Sequence, residues 1–363
     1  MSDQRNLVLA IVLSVAIIMG FQFFYEMPRM REAQQRAEAE RAAAASTDAI
    51  RPAPGVVAPG APAPPAAPGA TATTAPTAQA AEAAEQAPRV RIDNGRLHGS
   101  VSLKGARIDD VTLADYHETV NPASPEITLL APSGRPNPYF AEFGWVAGDQ
   151  AVPVPTAQTV WRAEGERVTA DTPVTLRWDN GQGLAFAQAV GLDRDFMFSV
   201  RRTVSNTGTA PATLYPYGLL SRTGTPPTMG YYILHEGPIG VFGGKLDEID
   251  YTDVVEERLL ERESQGGWLG FTDKYWLGAL VPQQDLAFKA AFRHTPEGDR
   301  YQIDFRGPPL TVQPGQTVEV TDRLFAGAKE VGLLDAYSER YGVPLFDRAV
   351  DFGWFYFLTK PIF

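Results

Sequence analysis

Residues 7–25 form an almost unbroken apolar run, interrupted by polar side chains at Ser14 and Gln22. As a helix rising about 1.5 Å per residue it would span roughly 28 Å, close to the hydrocarbon thickness of a bilayer. Leu7, Leu13, Ile17, Phe21 and Phe24 are among the side chains expected to hold it in lipid. The summed insertion preference of the run is about −4 to −7 kcal/mol before polar penalties. A cleaved signal peptide would need a shorter apolar core followed by small residues. Here the run ends on Phe21, Phe23, Phe24 and Tyr25, and the first run of alanines comes at residues 42–45. Residues 1–27 are therefore expected to be an uncleaved transmembrane anchor.

Residues 28–88 read as a linker. Residues 29–45 are rich in Ala, Glu, Gln and Arg, good helix formers without an apolar stripe. Residues 51–88 then turn to Pro, Ala, Thr and Gly, a composition that cannot bury a core and favours an extended, disordered chain. The remaining chain is long enough for one large domain.

A net charge of −11 argues against nucleic acid as a partner, because neutralising phosphates requires a basic surface. With no cysteine in the chain, disulfides, thiolate chemistry and Cys-based zinc sites are excluded. His98, His117, His235 and His294 show no metal-ligand spacing, so neither a metal nor a cofactor is expected.

From Arg89 onward, short alternating segments are punctuated by turns. Val90 and Ile92 precede Asp93-Asn94-Gly95; Leu97, Val101 and Leu103 precede Lys104-Gly105. Phe196, Phe198 and Val200 lead to Ser205-Asn206-Thr207-Gly208, and Val318 and Val320 follow Pro314-Gly315. Period-two apolarity with such punctuation marks antiparallel strands, and helical periodicity is scarce, so residues 89–342 are expected to form a large, mainly β sandwich. The stretch GGWLGFTDKYWLGALVP at residues 266–282 sets large aromatics among glycines, as in strands that approach another backbone closely. It reads as core packing, with a ligand platform as the other possibility.

A helix is expected over residues 329–341, with Leu333, Leu334, Tyr337 and Tyr341 on one side and Gly342 and Pro344 ending it. In residues 343–353 the apolar Leu345, Phe346, Ala349 and Val350 would share one helical face, with Asp347, Arg348 and Asp351 on the other. That is the pattern of a helix lying flat on a membrane surface. Trp354, Phe355 and Tyr356 match an aromatic belt at an entry into lipid, and residues 354–363 are expected to begin a second transmembrane helix. The expected membrane-interface residues are Leu345, Phe346, Val350, Trp354, Phe355 and Tyr356.

On these features the sequence resembles the YidC membrane-protein insertases of Gram-negative bacteria. The resemblance rests on the anchor after Arg5-Asn6, the Pro/Ala linker and the 266–282 stretch. It rests equally on Leu324-Phe325-Ala326-Gly327-Ala328-Lys329 and on residues 351–363. It implies a periplasmic β-supersandwich similar to the galactose-mutarotase fold, with a C-terminal helix and an amphipathic helix leading to the membrane core. It further implies a non-enzymatic role in assisting nascent inner-membrane proteins, with the lipid bilayer and the Sec translocon as partners. In the family, insertion is carried by C-terminal membrane helices whose groove holds an arginine; no residue of this chain is assigned that role. Arg29, Arg31 and Arg36 beyond the anchor outnumber Arg5 before it, so charge counting alone would put the amino terminus outside. The resemblance implies the reverse, an amino terminus in the cytoplasm and the domain in the periplasm of a bacterial inner membrane. A different reading of the same fold is a membrane-tethered carbohydrate-binding or sugar-epimerase-like domain. Its acid–base pair would have to be His235 and Glu236, whose side chains point to opposite faces if they lie on a strand.

Overall fold

The computed structural model describes residues 87–226 and 234–351. Expectations for Leu7, Leu13, Ile17, Phe21, Phe24, the linker up to residue 86, Trp354, Phe355 and Tyr356 lie outside the described residues. Among the described residues no helix is long and apolar enough to cross a membrane.

Alternation builds the molecule. Arg89–Asp93 buries Val90 and Ile92 and turns its charged residues outward; Leu184–Leu192 and Met197–Asn206 follow the same period. Each such strand has one apolar face, and the faces can be covered only by a second sheet. The described strands form two sheets. The first, of eleven strands, runs Leu259–Gln265, Ala287–Thr295, Arg300–Arg306, Ala212–Thr223 and Tyr139–Ala147. It continues through Arg107–His117, Leu97–Ser102 and Arg89–Asp93 to the two-residue edge strand Arg167–Val168, with Leu310–Val312 and Glu126–Leu130 pairing off this path. The second, of nine strands, runs Lys245–Glu248, Gly237–Phe242, Gly267–Thr272, Trp276–Val281 and Thr317–Ala328. Met197–Asn206, Leu184–Leu192, Val174–Asp179 and Arg162–Glu164 complete it. Neighbouring strands pair antiparallel except at the edge, where Arg89–Asp93 runs parallel to Arg167–Val168.

The core lies between the sheets, and its polar centre ties them together. Arg202, 1% exposed, donates to the carboxylate of Asp322 within its own sheet and to the carbonyls of Gly144 and Tyr217 in the other. Its guanidinium also lies over the rings of Phe143 and Trp145.

Two helices are described. Helix α1 (Tyr251–Glu257) buries only Tyr251 and Val254, too little periodic signal to be read from sequence. Helix α2 (Val331–Tyr341) starts two residues later than expected and buries Leu334 and Tyr337. It ends as expected at Gly342, whose φ of +63° is the left-handed cap that glycine accepts without strain. The expected amphipathic helix over residues 343–353 is replaced, within its described part, by a single 3₁₀ turn, Phe346–Ala349. Phe346 and Ala349 are fully buried in the domain's core, and Asp347, on the polar side of the amphipathic pattern, is buried as well. Leu345 and Val350 are half-buried and packed against the same core. Apolar residues at helical spacing thus cover the protein's own sheet here, which corrects the expectation of Phe346 at a lipid surface.

Candidate functional site: the seat of the C-terminal connector

The 266–282 stretch folds into a hairpin, Gly267–Thr272 paired with Trp276–Val281 around a tip at residues 273–275. Its glycines answer to close neighbours. At Gly278 a Cβ would collide with the hydroxyl of Tyr139, which reaches across from the opposite sheet. Leu269 and Phe271 point into the sandwich, where Phe271 meets Tyr139 edge-on at 5.9 Å. The alternate positions Trp268 and Thr272 therefore lie on the outer face of the nine-stranded sheet.

That face is the seat on which the connector, residues 343–351, is held. The indole Nε1 of Trp268 donates to the carbonyl of Pro344 at 3.1 Å. The ring of Phe346 stands edge-on between Trp268, at 5.3 Å, and Phe325, at 5.5 Å. Phe325 in turn meets Tyr337 of α2 at 6.0 Å, so helix and connector share one aromatic bed. Ser338 and Val343 exchange hydrogen bonds across the helix end, Oγ to O at 2.6 Å and N to O at 3.1 Å.

At the far end of the seat the chemistry turns polar. The amine of Lys329 donates to Thr272 Oγ1 at 2.9 Å, and that oxygen lies 3.5 Å from the carbonyl of Ala349. Burial pulls the Lys329 amine down to about 8, with the carboxylates of Asp273, Asp351 and Glu236 opposing the shift. Asp351 accepts from the backbone N–H of His235 at 3.2 Å. Asp273, at the hairpin tip, accepts from Arg222 of the other sheet at 2.7 Å. Burial lifts Glu248 above the usual carboxylate range, with His235 opposing and the charges of Asp351 and Asp250 adding to the rise. The start of α2 is fixed as well: Glu330 takes hydrogen bonds from Arg96 and from the hydroxyl of Tyr116, the latter at 2.8 Å.

The two residues of the candidate acid–base pair each have other partners, with His235 Nδ1 lying 3.9 Å from Asp250. His235 Nε2 is spent on the carbonyl of Pro238 at 3.0 Å, and Glu236 Oε1 accepts from the backbone N–H of Lys274 at 3.1 Å. Among the described residues no group of three or more His, Asp or Glu side chains could hold a metal ion. What the arrangement can do is hold the emerging chain. Sequence reading singled out the 266–282 stretch and the apolar residues of the connector but did not join them, and it missed Thr272, Lys329 and Asp351 as the polar end of the seat. A backbone carbonyl such as that of Pro344 leaves no trace in a side-chain pattern, so only the fold brings Trp268 to it.

Comparison with known proteins places this geometry. A family profile described as the YidC periplasmic domain matches residues 89–363. The membrane protein insertase YidC of Methylorubrum extorquens (strain PA1) is 47% identical over 377 residues, covering 100% of this chain and 61% of that protein. The protein of the same name from Rhizobium etli (strain CIAT 652) is 45% identical over 366 residues, again 100% and 61%. The chain therefore spans about three fifths of the length of these curated relatives. Among solved structures, a galactose mutarotase related enzyme from Lactobacillus acidophilus has a TM-score of 0.44 at 11% identity, over 66% of this chain and 97% of that one. A galactose mutarotase-like protein from Lactobacillus casei gives 0.43 at 10% identity, over 66% and 100%. These distant likenesses carry nothing about chemistry. With a periplasmic-domain profile across its whole sandwich and relatives near half identity along its entire length, the chain belongs to the YidC family of membrane protein insertases.

Proposed function

We propose that this chain is the N-terminal and periplasmic portion of a membrane-protein insertase and chaperone, assisting insertion and folding of inner-membrane proteins alone or with the Sec translocon. In this reading the protein has no enzymatic activity of its own. The amino terminus is cytoplasmic, residues 1–27 anchor the chain, and the sandwich lies in the periplasm. Leu345 and Val350, half-buried in the connector, and Trp354, Phe355 and Tyr356 beyond it carry the passage toward lipid.

The observation that carries the proposal is the seat. A domain whose last described residues are bound to its own sheet by Trp268, Thr272 and His235 is built to hold the following segment at a fixed position. Such fixing has a purpose when the next segment enters a bilayer. The test is depletion of the protein in its host, followed by protease mapping of newly made inner-membrane proteins. Accumulation of uninserted clients is expected, and unchanged insertion would refute the reading. Protease added to intact spheroplasts tests orientation separately: the sandwich should be digested, and full protection would reverse the assignment. The sugar-epimerase alternative is not favoured at its adjacent pair, since His235 Nε2 and Glu236 Oε1 are both engaged by backbone groups.

A further inference from the structure

A cleft of about 450 Å³ opens on the outer face of the eleven-stranded sheet, far in sequence from the connector and its seat. Its walls are Arg89, Arg91, Asp93, His98, Ser100 and Arg167. Because Val90 and Ile92 fill the core, the alternate residues Arg89, Arg91 and Asp93 must face outward. The edge pairing then does something unusual: it sets Arg91 directly beside Arg167 in register. Like charges on neighbouring strands repel, so this register is unfavourable unless something of opposite sign answers it.

The protein answers it only in part. Arg89 is engaged by Asp109 and by Ser100, whose hydroxyl it reaches at 2.7 Å. Arg167 meets Asp93 at a loose 3.5 Å. Arg91 has no ion-pair partner among the described residues, although the chain carries 43 acidic residues against 32 basic ones. An acidic molecule that leaves two juxtaposed guanidiniums facing an open cleft offers them to an anion from outside. The walls hold no Trp, Tyr or Phe on which a neutral sugar could stack. Asp93 instead offers carboxylate acceptors suited to hydroxyl groups, beside His98, which is itself paired with Glu126.

We propose that this cleft binds a phosphate ester of a small polyol, its phosphate held by Arg91 and Arg167 and its hydroxyls by Asp93. The chemistry is shared by soluble polyol phosphates and by the headgroup of phosphatidylglycerol. The inference is independent of the insertase reading.

Calorimetric titration of the full chain in a neutral detergent, with glycerol 3-phosphate and with dihexanoyl-phosphatidylglycerol, tests it. Saturable binding of at least one probe below about 10 mM is expected, weakened about tenfold or more by Arg91→Ser and by Arg167→Ser, and weakened by added salt. Arg177→Ser, which removes an exposed arginine of the other sheet, should leave it unchanged. Tighter binding of the lipid probe assigns the headgroup, and equal or tighter binding of glycerol phosphate assigns a soluble ligand. No saturable binding of either probe, binding indifferent to both substitutions, or equally tight binding of glycerate would overturn the proposal.

Discussion

Trp268 shows how much a single side chain can settle. Its ring is fully buried, and its one polar atom is the donor that satisfies Pro344. Trp268→Phe keeps most of the ring and removes that donor, leaving a carbonyl short of a partner. A loss of about 1–2 kcal/mol is expected in urea unfolding of the domain. Gly278 and Tyr139 form a second residue-scale test. The Tyr139 hydroxyl is buried with no partner among the described residues, and it occupies the space a side chain at 278 would need. Gly278→Ala should cost about 1–3 kcal/mol, whereas Tyr139→Phe alone should cost little. The double variant should recover much of the loss, and strict additivity would refute the contact. Lys329 sets a pH dependence whose sign follows from its environment. Its folded value, about 8, lies below the usual 10.5, so above pH 8 the unfolded chain keeps a proton that the folded one has released. Stability should therefore rise with pH from about 8 toward 10 relative to Lys329→Met, because the cost of a buried ammonium is relieved there. A flat difference between the two proteins across that window would contradict the buried amine.

At the scale of elements, the connector tests how far periodicity can be trusted. Apolar residues at positions 345, 346, 349 and 350 have the same spacing whether they rest on lipid or on the protein's own sheet. The fold chooses the sheet for Phe346, between Trp268 and Phe325. Phe346→Ala should therefore destabilise the domain by about 3–5 kcal/mol in detergent-free solution, the cost of emptying an aromatic site in a core. Unchanged stability would return Phe346 to the lipid. Other elements were legible because their signals are local. The Asp93-Asn94-Gly95 turn is one: Asn94 Oδ1 accepts from the backbone of Arg96 and Leu97, closing the hairpin as its residue types foretell. Gly342 after α2 is another. Helix α1 was not legible, since seven residues with two buried side chains give no period to read. The seat was not legible either, because its halves stand some seventy residues apart and one half is backbone.

Over the whole molecule, Arg202 and Asp322 are the pair on which the two sheets depend. Both are 1% exposed, and the guanidinium reaches two carbonyls of the opposite sheet. Arg202→Met would strand a carboxylate in the core, at an expected cost of about 3–5 kcal/mol; Arg202→Met with Asp322→Leu should regain most of it. Denaturant midpoints of the two variants decide this, and equal losses would mean that the bridge to the opposite sheet, rather than the stranded charge, carries the effect. The seat has a mechanical consequence at this scale. A tug arriving at Asp351 must first part its carboxylate from His235, then free the strap at Ala349, then draw a ring from between two others, then break the indole's grip on Pro344, before any load reaches α2. Until then the sandwich would turn as a stiff lever about its point of exit, so that tension on the chain beyond it becomes torque on some two hundred and fifty residues at once.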